Sequence, residues 1–200
     1  MLRGVETESG YACNRNEAVG MALATCGRMA RQQNQSMGSE DALEMLEKQH
    51  RQVESLFEAF ENAEDGRAKR SVFQRLADLL AIHSAIEEHH LYPAVKAEQT
   101  EELLLEAVEE HLSAKRIIAD LLAMSASDEN FEAKVKVLKE QVEHHVEEEE
   151  GELFPQVREM FSEEALGKIG AAMAEEAHSL EGHHPRDQVL SETRKAASIG

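Results

Sequence analysis

The chain has 200 residues, enough for a single domain with an apolar core, and its 42% apolar content is ordinary for a globular protein. Its 40 acidic residues outnumber 21 basic ones and give a net charge of −19 at pH 7, which would repel nucleic-acid phosphates and anionic membranes and would attract cations. No apolar run reaches the roughly 18 residues of a membrane span, and the first residues lack the apolar core of a secretion signal, so a cytoplasmic protein without nucleic-acid or membrane partners is predicted.

Residues 1–38 mix Gly, Asn, Gln, Ser and Arg with only short apolar runs, which predicts a mobile or loosely docked arm. Both cysteines, Cys13 and Cys26, fall in this arm. Two cysteines are too few for a disulfide framework in a chain of this length. The pair is interpreted as reduced and incidental, with a single disulfide between them as the alternative.

Apolar residues recur in steps of three and four over residues 43–60, a period that places them on one face of a helix. Residues 64–67 break the pattern as a turn, and a second helix of the same kind is predicted over residues 73–91. Pro93 should kink or end this helix within a few residues, because proline has no backbone N–H.

Two further helices are predicted over residues 104–121 and 131–153. Thr100, followed by two glutamates, favours the start of the third helix, and the polar run 125–130 supplies a connection with capping residues. Pro155 should close the fourth helix. Because the connections are short, successive helices are expected to be antiparallel neighbours.

The C-terminal part, residues 161–200, is predicted to form a short helix and a tail. The helical pattern from Ser162 to about Ala177 is weaker, and this helix is expected to pack across one end of the domain. From Leu180 onward the composition is polar and predicts a frayed, disordered tail.

One motif occurs twice, at residues 83–93 and 145–155, and reads His-x3-Glu-Glu-x2-Leu-aromatic-Pro, with matching positions 62 residues apart. A looser repeat relates His50 to His111, 61 residues apart. One period fits both pairs, so the chain is predicted to be a duplicated helical hairpin with one lone histidine and one His-x3-Glu in each half.

Four histidines and two glutamates of these repeats fall on the apolar faces of the predicted helices: His50, His83, Glu87, His111, His145 and Glu149. Counted from the turns at about 1.5 Å per residue, the histidines lie within about one helical turn of the same level, and each glutamate lies one turn along the same face. Two uncompensated carboxylates in an apolar layer would cost several kcal/mol each, so cations are the expected partners. The alternative is a bundle whose core histidines are satisfied by hydrogen bonds alone.

Imidazole nitrogen together with carboxylate oxygen suits Fe, Mn or Zn. Six ligands on four helices, with two carboxylates available to bridge, suit a pair of metal ions better than one. Two irons are preferred to manganese or zinc, because zinc usually takes a closed, four-coordinate site.

The ordered set of lone His, His83-x3-Glu87, lone His and His145-x3-Glu149, with Leu-Tyr-Pro and Leu-Phe-Pro closing the second and fourth helices, resembles the hemerythrin-like (HHE cation-binding) family over about residues 40–160. The resemblance implies an all-α, up-down-up-down four-helix bundle, assigned here to residues 39–160, around a non-haem di-iron centre. It also implies the ligand set: His50 with His83 on one iron, His111 with His145 on the other, and Glu87 and Glu149 bridging.

Two positions depart from the oxygen-carrying hemerythrins. Their third helix has His-x3-His where this chain has Lys115, and their last helix has His-x4-Asp where this chain has His-x3-Glu. One ligand fewer argues against a pure oxygen carrier. Four His and two Glu instead resemble bacterial proteins linked to repair of iron centres after nitrosative stress, and hemerythrin-like proteins that decompose peroxide. The repair proteins carry an N-terminal domain with adjacent cysteines, which Cys13 and Cys26 do not match.

Other polar residues near the predicted centre receive more modest interpretations. Glu54 and Lys115 each follow a lone histidine by four residues and could act as extra ligands, as groups behind the ligands or as a salt bridge to each other. The remaining residues are interpreted as solvated: His89, His90, His144, Glu147, Glu148, Glu150 and Glu152.

The predicted function is that of a cytoplasmic di-iron protein that binds or reacts with a small oxidant, O2, NO or H2O2, in oxidative or nitrosative stress. Within this prediction, an enzyme that consumes peroxide or nitric oxide, a protein that binds or senses the gas reversibly, and an iron donor for repair of iron centres stay open. A metal-free helical interaction module is the alternative outside it. The sequence does not predict a protein partner.

Overall fold

The computed structural model describes residues 40–199, so the arm predicted over residues 1–38, with Cys13 and Cys26, lies outside the described residues. Residues 40–199 are helical and contain no β-strand. The helices are α1 (Ala42–Glu61), α2 (Gly66–Ile86), α3 (Tyr92–Val95), α4 (Glu101–Ala123), α5 (Phe131–Glu148), α6 (Phe154–Met160), α7 (Glu163–Leu180) and α8 (Arg186–Val189). Within this part of the chain, no helix combines the length and apolar character that crossing a bilayer requires.

Side-chain caps fix where several helices begin. The Asp41 carboxylate accepts the backbone N–H groups of Leu43 and Glu44 at 2.9 Å and so caps α1, while Asp65 accepts from Ala68 at 2.7 Å and caps α2. Thr100 precedes α4 as predicted but does not cap it, because its hydroxyl bonds within the preceding loop and donates to the Val95 carbonyl at 2.8 Å.

Two π-helical turns, Glu87–Leu91 and Glu149–Leu153, lie between α2 and α3 and between α5 and α6. Each directly precedes the Tyr-Pro or Phe-Pro of the repeated motif. After Pro93 the helix ends at Val95, as predicted. The prediction that Pro155 closes the fourth helix is wrong, since α6 continues to Met160. Pro155 stands in the first turn of α6, where a helix does not need its missing N–H.

The apolar side chains form two clusters. The first takes residues 42–46, 82–86, 91–95, 104–108 and 153–157, with part of α7; the second takes residues 53–60, 73–80, 118–121 and 131–142, with Val189. In α1 and α4 the predicted ligand histidine follows residues of the first cluster and precedes residues of the second. On the other two histidine-bearing helices, Leu80 and Val142 of the second cluster precede His83 and His145, and Ile86 and Leu153 of the first cluster follow them. The order of the two clusters reverses from each of these helices to the next.

Helix α7 packs against α1 and α2. Gly170 makes the close approach possible, because a Cβ at this position would lie 2.7 Å from the Ala42 nitrogen and 2.8 Å from the Glu40 carbonyl oxygen. These are backbone atoms, so a larger residue could be accommodated only if the helices separated.

The residues after α7 do not form the frayed tail that their composition predicts. Helix α8 contacts α2 and α4, where Val189 is 1% exposed, and Ile199 is buried in the first cluster. Arg116 donates to the carbonyl oxygen of Thr193 at 3.0 Å, and Arg186 pairs with Asp78. A few apolar side chains and ion pairs thus hold this polar segment against α2 and α4.

Candidate metal centre

The six residues singled out by the repeats converge in one layer between the two apolar clusters. Each is at most 6% exposed. Their potential ligand atoms form two overlapping groups, and within each group the atoms lie within 4.8 Å of one another. The groups are His50, His83, Glu87 and Glu149, and Glu87, His111 and His145.

Each glutamate lies between imidazoles from both halves of the chain. Glu87 Oε2 is 3.3 Å from Nε2 of His83 and 3.3 Å from Nε2 of His111. Glu149 Oε2 is 3.4 Å from Nε2 of His50 and 3.5 Å from Nε2 of His145. These short distances place six polar side chains in a layer between the two apolar clusters, so the Nε2 atoms and the carboxylates face a common centre.

The two lone histidines turn Nδ1 outward to the second glutamate of the opposite motif. His111 Nδ1 lies 2.9 Å from Glu88 Oε1, and His50 Nδ1 lies 2.8 Å from Glu150 Oε1. Because a carboxylate accepts only, the imidazole must donate its proton from Nδ1. Nε2 is then left with a lone pair that faces the centre.

The other two histidines are held by the residue that precedes the lone histidine of their own half. His83 Nδ1 lies 2.9 Å from Gln49 Oε1, and His145 Nδ1 lies 2.8 Å from Glu110 Oε2. All four imidazoles therefore have an oxygen acceptor at Nδ1. This is the arrangement that orients histidines for a metal ion.

Inside the layer, polar atoms lack partners. Among the described residues, the buried side-chain nitrogen and oxygen atoms without a hydrogen bond are His50 Nε2, both oxygens of Glu87, and Oε2 of Glu149. The Nε2 atoms of His111 and His145 are 3.1 Å apart. Buried polar atoms are nearly always paired in proteins, and lone pairs that face carboxylates repel them. The donor set therefore fits a cation at this place.

Tyr92 makes the layer asymmetric. Its hydroxyl donates to Glu149 Oε1 at 2.9 Å, whereas the matching residue of the second motif is Phe154, which has no hydroxyl. The two rings otherwise play the same part, since Tyr92 stacks on His111 and Phe154 stacks on His50.

The charges of the layer are strongly shifted. Burial and the neighbouring Glu149 raise the pKa of Glu87 well above its usual range. Burial would also raise the pKa of Glu149, but the adjacent His145 and His50 outweigh it and lower this pKa. Burial lowers the pKa of His83 and of His111. The layer therefore favours neutral imidazoles at His83 and His111, the form that binds metal ions.

In each π turn, two adjacent glutamates contact different partners. A π turn holds more residues than an α turn, so neighbouring side chains are separated by a smaller angle around the helix. Glu87 faces the centre while Glu88, also buried, reaches His111. Glu149 and Glu150 repeat the pattern with His50.

The two further candidates do not join the layer. Glu54 is exposed and lies 3.5 Å from Arg51. Lys115 is buried, and its Nζ contacts Glu88 at 2.9 Å and Glu192 at 2.9 Å. Because Glu88 in turn accepts from His111, Lys115 is connected to that histidine only through Glu88. The alternative in which Glu54 and Lys115 pair with each other is wrong, because each has a different partner.

Sequence reasoning missed the residues that hold the imidazoles: Gln49, Glu88, Glu110 and Glu150. The interpretation of Glu150 as part of a solvated face is wrong, since it contacts both His50 and Arg51. The repeat itself held the signal, because these residues match in pairs at the same spacing as the histidines. His89 and His90 point away from the layer of ligand residues and contact Glu176 of α7.

A small cavity of about 40 Å³ adjoins the four imidazoles. Its other walls are mainly apolar and include Val53, Leu80, Ile118, Val142 and Val189. A buried water needs about 10 to 15 Å³ on this measure, so the cavity admits a molecule of only a few atoms.

Helical architecture and a buried layer of imidazoles and carboxylates define the class of protein, a helical cation-binding domain. Residues 41–157 match the family described as Hemerythrin HHE cation binding domain. This match covers more than half of the chain, and the chain belongs to this family.

Two similar proteins extend the comparison. A DNA nickase from Nostoc sp. is 27% identical over 165 residues, which are 82% of this chain and 46% of that protein, so the chain spans about half the length of this relative. The crystal structure of a hemerythrin HHE cation binding domain-containing protein from Mycobacterium kansasii has the same fold, with a TM-score of 0.62 and 24% identity over 79% of this chain and 94% of that one.

Proposed function

We propose that the buried layer holds two metal ions, preferably iron. The ligands would be His50 with His83 at one position and His111 with His145 at the other, with Glu87 and Glu149 shared between them. The observation that supports this most directly is that the four imidazoles are satisfied at Nδ1 while Nε2 of His50 and three carboxylate oxygens face inward without a partner. A metal-free interaction module would leave those buried groups uncompensated.

The bundle that carries the ions is proposed to be antiparallel, in the up-down-up-down order. The alternation of the two apolar clusters along α1, α2, α4 and α5 supports this order. Such a cage holds six ligands from four helices with little freedom to move, because the helices are rigid and packed on both sides of the layer.

The centre is proposed to bind or react with a small oxidant, O2, NO or H2O2, in the cytoplasm and under oxidative or nitrosative stress. When bound, iron would supply redox and Lewis-acid chemistry. The protein's own part is to exclude molecules of more than a few atoms and to surround the centre with apolar walls, since the cavity beside the imidazoles is about 40 Å³ and largely apolar.

Binding or reaction with the oxidant is favoured over iron donation, because all six ligands are at most 6% exposed and a donor must release its metal readily to another protein. Nicking of DNA is not proposed for this chain. More than half of the nickase lies outside the matched region, and a net charge of −19 opposes binding to a phosphate backbone.

Iron loading tests the proposal. The full chain is incubated with excess Fe²⁺ without oxygen, desalted and analysed for iron, beside His83→Ala, His145→Ala and the control His178→Ala, whose side chain is 89% exposed. We expect two irons per chain in the wild type and the control, and fewer in the two ligand variants. Equal iron contents in all four proteins would overturn the proposed centre.

Oxidants are then added to the loaded protein. Sustained oxygen evolution from peroxide would identify an enzyme, and a stable, stoichiometric absorption spectrum with O2 or NO would identify a binding protein. An unchanged spectrum with all three oxidants would refute the proposed chemistry while leaving the metal centre intact.

A further inference from the structure

The groups behind the imidazoles are duplicated along with the ligands. The residue before each lone histidine, Gln49 or Glu110, accepts from Nδ1 of the other histidine in the same half. The second glutamate of each motif, Glu88 or Glu150, accepts from Nδ1 of the lone histidine in the opposite half. Each of the two prospective metal positions therefore has two imidazoles and two outer acceptors.

One matching pair of outer residues differs in charge between the two halves. Glu88 and Glu150 match, and each also contacts a cation, Lys115 and Arg51 respectively. The other matching pair, at positions 49 and 110, is a neutral amide on one side and a carboxylate on the other. The nearest ion-pair partner of Glu110 besides His145 is His144, at 3.8 Å and 60% exposed, so no close lysine or arginine offsets this carboxylate among its contacts in the described residues.

The inner carboxylates also differ between the positions, because Glu87 and Glu149 both group with His50 and His83, whereas only Glu87 groups with His111 and His145. Glu149 Oε2 lies 3.4 Å from the His50 Nε2 and 3.5 Å from the His145 Nε2, and Glu87 Oε2 is likewise 3.3 Å from an imidazole of each position. Each carboxylate nevertheless lies near an imidazole of both positions. The difference that single substitutions can isolate without touching a ligand is the one between Gln49 behind His83 and Glu110 behind His145.

A carboxylate that accepts a hydrogen bond from Nδ1–H makes Nε2 of the imidazole a stronger electron-pair donor to the metal, and it adds a negative charge near the cation. An amide that accepts the same hydrogen bond has both effects to a smaller extent. Resting on the proposed two-metal function, we propose that the two positions are unequal. The position of His111 and His145 binds its ion more tightly and fills first. Glu110 and Gln49 are the positioning residues that set this order.

The test is a pair of reciprocal variants, Glu110→Gln and Gln49→Glu, in the full metal-free chain. Fe²⁺ is titrated without oxygen against a chromophoric chelator, and two stepwise dissociation constants are fitted. Two neighbouring cations repel each other, so two separate steps in the wild type would not by themselves support the proposal. The informative quantity is which step each variant moves.

If Glu110 belongs to the position that fills first, Glu110→Gln weakens the first step by roughly tenfold and leaves the second nearly unchanged. Gln49→Glu then strengthens the second step by a similar factor and changes the first by no more than about twofold. If the positions are equal or fill in the opposite order, Glu110→Gln weakens the second step instead, and Gln49→Glu strengthens the first. That result would overturn the inference.

Glu109→Gln is the matched control, because it removes the same charge from an exposed residue of the same helix and should move neither step. Melting curves of the metal-free variants show whether each one folds. Failure of the wild type to take up two Fe²⁺ would overturn the proposed function and this inference together. Uptake of two Fe²⁺ with the steps moved in the opposite sense would overturn the inference alone.

Discussion

Replacing Glu87 by glutamine should stabilise the metal-free protein and weaken the metal-loaded one. The Glu87 side chain is fully buried, and neither of its oxygens has a hydrogen-bond partner. A negative charge in that environment is favourable only when a cation is present. Glutamine keeps the size of the side chain and removes the charge.

The magnitude follows from the pKa of Glu87, which burial and Glu149 raise above its ordinary value of 4.5. An acid whose pKa rises on folding keeps a proton that the unfolded chain has already lost, so the folded state loses stability as pH rises above 4.5, by about 1.4 kcal/mol per pH unit, until the folded-state pKa is reached. This penalty is at most about 3 kcal/mol at pH 7 and about 1 kcal/mol at pH 5.5.

Glutamine does not titrate and escapes this penalty, and its amide N–H, like the O–H of the protonated carboxyl, can donate to the imidazole nitrogens 3.3 Å away. At about 2 to 4 °C per kcal/mol for a chain of this size, metal-free Glu87→Gln should melt up to about 10 °C above the wild type at pH 7 and by a smaller margin at pH 5.5. Loading with iron should reverse the order, because the variant lacks a shared carboxylate.

Thermal unfolding followed by circular dichroism measures both effects, on protein stripped with a chelator and on protein reloaded with iron. Glu109→Gln, an exposed charge removal, should melt like the wild type in both states. A metal-free Glu87→Gln that melts below the wild type at pH 7, or whose advantage does not grow with pH, would refute the reasoning.

Three further perturbations test the layer and its surroundings. Iron should stabilise the wild type by about 4 kcal/mol at a thousandfold excess over Kd and so raise its melting temperature. Identical melting curves with and without chelator would contradict this. Tyr92→Phe should cost the metal-free protein about 1 to 3 kcal/mol in urea unfolding, because Glu149 Oε1 loses its donor; an unchanged midpoint would contradict it. Gly170→Ala should destabilise by about 1 to 3 kcal/mol through its contact with the Ala42 backbone, whereas Gly151→Ala, with no atom within 4 Å, should not; equal midpoints would contradict the packing argument.

Helical periodicity was enough to find the six inward residues, because a histidine that replaces an apolar residue in a regular face is visible in the sequence. Counting residues from the turns between the helices then predicted that His50, His83, His111 and His145 lie at one level. Gln49 and Glu110 were not predicted, because each lies one residue away from the face, where periodicity expects solvent. Their part depends on the direction of an imidazole Nδ1, which is a property of the packed layer and not of one helix.

The C-terminal segment shows a different limit. Residues 181–199 are polar, and composition predicts that they do not pack. Their placement rests on Val189 and Ile199, which are buried against other helices, and on partners such as Asp78 and Arg116 far away in sequence. Local composition cannot predict this packing, because the surface that the segment contacts forms only after α2 and α4 have packed together.

The hydrogen bonds to the Nδ1 atoms of the lone histidines also make the two halves of the chain depend on each other. Glu88 from the first half holds His111 of the second, and Glu150 from the second holds His50 of the first. A hairpin by itself would keep its pair of histidines but lose the acceptor for one of them. Because a metal ion needs both imidazoles oriented, neither half can complete a position alone. In the proposed two-metal centre, metal uptake would therefore be coupled to the docking of the two halves, and metal binding would stabilise their contact as well as each helix.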